Sequence, residues 1–83
     1  TAPGVELQQR VCDVALSVPG VVALDKCIVR KMGFEYYVDL HVIVDSEITV
    51  RQGHAVAHAV KDALRISHPD VADVLVHIEP ADH

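Results

Sequence analysis

The sequence predicts an α+β sandwich in the order helix, strand, strand, helix, strand. Three strands form one sheet with two helices on a single face, a truncated ferredoxin-like arrangement. Three observations lead there. Apolar residues recur at a three-or-four spacing in two stretches, around Leu7–Val18 and Gly53–Leu64. A two-residue alternation runs through Phe34–Asp45 and again through Asp73–Glu79. Pro19-Gly20, Gly33 and His68-Pro69 punctuate the segments.

The first helix covers Gly4–Val18, with Leu7, Val11, Val14, Ala15 and Val18 as its apolar stripe and Pro19-Gly20 as its stop. Val21–Met32 is rich in β-branched residues but alternates imperfectly, and Gly33 turns it into a second strand, making a hairpin. In Phe34–Asp45, Phe34, Tyr36, Val38, Leu40, Val42 and Val44 share the face expected to be core, and Glu35, Tyr37, Asp39, His41, Ile43 and Asp45 share the other. Thr49 and Gln52 make a T-x-x-Q capping box for a second helix. Its stripe is Gly53, Val56, Ala57, Val60 and Leu64, and it ends at His68-Pro69. In the third strand Val74, Val76 and Ile78 alternate with Asp73, Leu75, His77 and Glu79 before Pro80.

At 83 residues the chain is one domain, residues 1–83, with no internal linker, and 51% apolar against 23% charged content is that of a globular protein. A domain this short buries only about 60% of its unfolded surface, so its core is small. No apolar run reaches the length of a membrane span, and the start lacks the pattern of a signal peptide, so the fragment is expected to be soluble. Seven Lys and Arg against twelve Asp and Glu give a net charge of −5, without a basic cluster or Trp, which argues against nucleic acid as a partner. The opening on Thr1 rather than Met leads us to expect a domain cut from a longer polypeptide. Cys12 and Cys27 form no C-x-x-C pair and are expected to be free thiols acting as small buried hydrophobes.

The sheet face away from the helices carries Tyr37, His41, Ile43, Leu75 and His77. A domain with so small a core gains by covering such a surface, which predicts a homodimer. All six histidines lie after residue 40. His77 and Glu79, two apart on a strand, point the same way, and His41 points to the non-core face of its own strand. If the last two strands are close, these three make a nitrogen and oxygen cluster of the kind zinc accepts. His54 and His58, four apart on the second helix, share a helix face and are further candidates, although Lys61 and Arg65 near His58 oppose a cation there. A helix on the core face does not easily join strand residues on the open face, unless its start overhangs the sheet edge or a partner subunit contributes. Catalysis has little support: neither cysteine has a local histidine, and no G-x-S-x-G, P-loop or G-x-G-x-x-G string is present, so no enzyme is expected.

The strings VRKMGFEYYVDLHVIVD (Val29–Asp45), TVRQGHAVAH (Thr49–His58) and VLVHIEP (Val74–Pro80), with V-P-G-V at Val18–Val21, closely resemble the cytoplasmic C-terminal domain of the cation diffusion facilitator family over nearly the whole chain. The resemblance implies a metallochaperone-like fold and a dimer that binds regulatory divalent metal. It also implies a position after a transmembrane cation/proton antiporter, on the cytoplasmic face of a membrane. It places His41, His54 and His77 on the family's ligand histidines and Glu79 on a carboxylate position. His58 occupies a less uniform ligand place, and His68 is a ligand only across a dimer.

The reading is therefore a regulatory, dimerising domain of a divalent-cation efflux transporter whose partners are a second copy, the parent's membrane domain and divalent cations. Zn²⁺ is the expected ion, with Mn²⁺, Fe²⁺, Co²⁺, Ni²⁺ and Cd²⁺ as alternatives. The rivals are a free-standing metallochaperone, which would lack its usual M-x-C-x-x-C loop here, a structural dimerisation module without metal, and a small-molecule-binding regulatory domain of the same topology.

Overall fold

The structure, a computed structural model, describes residues 3–82. It contains α1 (Pro3–Ser17), β1 (Ala23–Met32), β2 (Glu35–Val44), α2 (Val50–Ser67) and β3 (Val71–Pro80). The sheet order is β1-β2-β3, with β2 in the centre, antiparallel to β1 and parallel to β3. Parallel neighbours need a long crossover, and α2 is that crossover.

Each element forms for a local reason. The box at the start of α2 is complete: Gln52 N–H donates to Thr49 Oγ1 (3.0 Å) and Thr49 N–H donates to Gln52 Oε1 (2.9 Å), satisfying two donors that a helix start leaves open. His68 N–H closes the other end on Leu64 O at 2.8 Å. Between β1 and β2 only Gly33 and Phe34 intervene. Gly33 has φ +65 and Phe34 has no positive φ, the pattern of a II′ hairpin turn. Gly20 also has a positive φ, +95, in the turn that leads from α1 towards β1.

Leu7, Val11, Ala15 and Val18 from α1, Val38, Leu40, Val42 and Val44 from β2, Val60 and Leu64 from α2, and Val71 and Val74 from β3 form one buried cluster. Both helices thus cover the same sheet face, as predicted. Phe34 is a correction: alternation placed it in the core, yet it is 96% exposed. Alternation holds only while the backbone stays pleated, and the turn at Gly33 lifts Phe34 out of the pleat. Strand ends also shift. β1 begins at Ala23, β2 ends at Val44, and β3 begins at Val71, because Tyr36 N–H donates to Asp70 O (3.0 Å) and starts the pairing early.

Candidate metal centre

The face of the sheet opposite the helices is set by register. His41 of β2 stands directly opposite His77 of β3, with Ile43 opposite Glu79 and Asp39 opposite Leu75 one pleat repeat to either side. Odd-numbered residues of both strands therefore share the open face. On β1 the register passes from Leu24↔Val42 to Lys26↔His41, leaving Asp25 without a partner in a bulge. A bulge re-aims side chains, and this one brings Asp25 to His41.

The rings of His41 and His77 stack with centroids 4.3 Å apart and planes at 20°. His41 Nδ1–H donates to Glu79 Oε2 at 2.6 Å, which leaves Nε2 as the nitrogen with a lone pair. That Nε2 is 3.9 Å from Asp39 Oδ1, and His77 Nε2 is 3.3 Å from the same oxygen. Asp39 Oδ1 is buried and lacks a hydrogen bond among the described residues. His77 is within ion-pair range of it but not in hydrogen-bonding geometry. Leaving a buried carboxylate oxygen unsatisfied is costly, so an orphan of this kind calls for a cation. Two donor sets converge within 4.8 Å: Asp39, His41 and His77, and Asp25, His41 and Glu79. Imidazole and carboxylate together suit a divalent ion of intermediate hardness, so the residues present fit a metal.

Of the residues singled out from sequence, His41, His77 and Glu79 meet here. His54 and His58 lie on α2, their rings in edge contact with centroids 4.4 Å apart. Neither belongs to a donor set with the strand residues within this chain, because α2 packs on the core side of the sheet. His54 instead borders a groove of about 460 Å³ along Val76, Ile78 and Pro80. His68 caps α2 at its far end. Sequence reasoning passed over Asp39 and Asp25. Asp39 was legible, since it is two residues from His41 on one face. Asp25 was not, because its direction depends on the bulge.

The fold is thus a two-helix, three-strand domain whose uncovered sheet face gathers histidine and carboxylate donors. The sequence profile described as "Cation efflux protein, cytoplasmic domain" matches residues 3–81. The chain belongs to this family, that of the cation efflux (cation diffusion facilitator) transporters. Among curated relatives, Metal tolerance protein C1 of Arabidopsis thaliana is 35% identical over 66 residues, covering 80% of this chain and 14% of that protein. The cation-efflux pump FieF of Yersinia pestis (strain Pestoides F) is 30% identical over 73 residues, 88% of this chain and 24% of that protein. The chain thus spans less than a quarter of the length of either. Among solved structures, "MamM CTD M250L" superposes with a TM-score of 0.93 at 29% identity, covering 95% of this chain and 99% of that one. Similar solved structures include "MamM CTD E289H - Nickel form" and "MamM CTD E289D - Manganese form", at 27% and 28% identity. No helix among the described residues is long and apolar enough to cross a membrane.

Proposed function

We propose that this domain is the metal-sensing and dimerising part of a divalent-cation efflux transporter, with Zn²⁺ as the sensed ion and a proton antiporter as the parent. The observation that carries the reading is the orphaned Asp39 Oδ1 facing the Nε2 atoms of His41 and His77. Those three residues hold the ion. Glu79 sits behind His41, accepting its Nδ1–H, fixing the tautomer and making Nε2 a better donor. Asp25 adds a further carboxylate within 4.8 Å of the His41 and Glu79 donor atoms. A bound divalent ion balances the Asp39, Asp25 and Glu79 carboxylates gathered around His41 and ties β2 to β3.

Three protein donors leave a fourth position open. The same face exposes Leu75, Tyr37 and Ile28, and a second copy covers them in a homodimer. The start of α2 in that copy, rather than in the same chain, brings His54, with His58 next to it, to the shared cation. Occupancy then draws the two protomers together, and that movement is what the membrane domain reads.

Calorimetric titration of the chain with Zn²⁺, Mn²⁺ and Ni²⁺, alongside sedimentation with and without metal, tests this. Saturable Zn²⁺ binding lost in His41→Ala and His77→Ala, on a dimer, is expected. A dimer without saturable binding would leave a structural module instead, and a monomer at tens of micromolar would remove the dimerising half of the reading.

A further inference from the structure

The two cysteines are fifteen positions apart in sequence, and they are the only two in the chain. They nonetheless meet. α1 packs along β1, an edge strand, and Gln8 Nε2–H donates to Cys27 O at 2.6 Å, which fixes one face of the helix over Cys27. Cys12 lies one helical turn beyond Gln8 on that same face. Both are free thiols of intermediate exposure, and their side chains are near enough for the Cys12 thiol to act on the Cys27 sulfur.

Cys27 stands opposite Leu40 in the hairpin register and packs against the core, whereas Lys26 stands opposite His41. The sheet therefore separates the sulfur pair from the histidine cluster, and no cysteine belongs to either donor set among the described residues. We infer that Cys12 and Cys27 form a second cation site, which takes one soft monovalent d¹⁰ ion of the Cu⁺ class between two thiolates.

The chemistry follows from donor type and number. Thiolates select soft ions over Zn²⁺-like competitors when the coordination number is low. Two sulfurs satisfy a two-coordinate Cu⁺, while zinc in a closed site needs four ligands and would be two short. Partial exposure at the edge of the core leaves a path for the ion. On entry the ion replaces both thiol protons, which pass to solvent. No electron is transferred, so no oxidant is required. The site is independent of the zinc reading and stands or falls without it.

The test is an anaerobic titration of the reduced chain with Cu⁺ against a chromophoric Cu⁺ chelator, followed by iodoacetamide and intact-mass measurement. One Cu⁺ per chain is expected. The metal-free chain should gain two adducts, and the Cu⁺-loaded chain should gain none over the same interval. Cys12→Ser, on the helix, should lose stoichiometric copper. Cys27→Ser should do the same, and the protection measurement on the unaltered chain carries the result if that variant folds poorly. A His41→Ala/His77→Ala chain should retain its Cu⁺. Copper kept by Cys12→Ser, thiols alkylated equally with Cu⁺ present, or copper lost with the two histidines would each overturn the proposal.

Discussion

Asp39 Oδ1 lies 3.3 Å from His77 Nε2 and is buried without a hydrogen bond among the described residues, although its strand is the best packed in the sheet. The geometry is unfavourable for the metal-free fold and suited to a cation, so binding and stability should pull in opposite directions at this residue. Asp39→Asn keeps the volume and removes the unpaired charge. It should lower Zn²⁺ affinity by at least about tenfold while leaving the metal-free melting temperature equal or higher. Calorimetry and thermal melts on one preparation read both. A variant that loses stability and keeps affinity would make Asp39 a structural residue.

His58 should matter much less than the strand residues. It touches His54 on α2 and has Lys61 on the following turn, whereas His41 and His77 are stacked on the open face. His58→Ala is expected to change Zn²⁺ affinity less than about threefold, against about a hundredfold or more for His77→Ala, the scale of losing a coordinating group. Competition with a fluorescent zinc chelator measures the ranking. Glu79→Gln should fall between them, because the amide still accepts the His41 proton but no longer polarises the ring.

Metal binding should fade as the solution is acidified. An imidazole must be unprotonated to offer its lone pair, and free histidine takes up its proton near about pH 6.5, so each coordinating ring exchanges a proton for the ion. With free metal at about 100 times Kd the bound ion adds roughly 2.7 kcal/mol of stability, and that increment should vanish in acid. Melting curves with and without Zn²⁺ across this range test it. A zinc-induced rise in melting temperature that persisted well below this range would argue for carboxylate-only ligation.

The parts of the structure visible in sequence are those governed by local period. The stripe Gly53, Val56, Ala57, Val60 and Leu64 and the alternation Val38, Leu40, Val42 and Val44 each mark one buried face, whatever the element packs against. The capping box was equally visible, since its partners are three residues apart. What period does not encode is which strands are neighbours. The pairing of His41 with His77 comes from a parallel crossover, and the direction of Asp25 comes from a bulge. The contact of Cys12 with Cys27 was hidden for the same reason: helix phase and strand register must both be known before the two sulfurs can be brought together.

Gly20 should tolerate no side chain. Its φ of +95 lies where L residues are strained, and an added Cβ would stand 2.8 Å from Val56 Cγ2. Gly20→Ala is expected to cost about 1–3 kcal/mol, which for a domain of this size lowers the melting temperature by several degrees or more. Trimming Val56 to Ala removes the clash but not the backbone strain. The double variant should therefore be more stable than the sum of the two single losses allows, and strict additivity in a denaturation cycle would show that the clash is not felt.

Burial pushes the Cys27 thiol up from 9.0 to about 12, and its hydrogen bond and charge interaction with Cys12 push the same way. In the unfolded chain that thiol ionises near its ordinary value, while the folded chain holds the proton until about 12. Between those two values the folded state binds more protons than the unfolded state, so Cys27 makes stability fall as pH rises, and below the lower value it makes no pH-dependent contribution. Lysine and tyrosine ionise over the same range, so the informative quantity is a difference between two chains. Denaturant unfolding of the unaltered protein and of Cys27→Ala, on either side of pH 9.0 and up towards 12, should show the unaltered chain losing its advantage over the variant only in the alkaline half. The alkylation rate of Cys27 should keep rising through this window rather than level off near its lower edge, since the reactive thiolate is still accumulating. A stability difference that stayed constant with pH, together with an early plateau in alkylation, would mean that the sulfur is solvated and the Cys12–Cys27 contact open in solution.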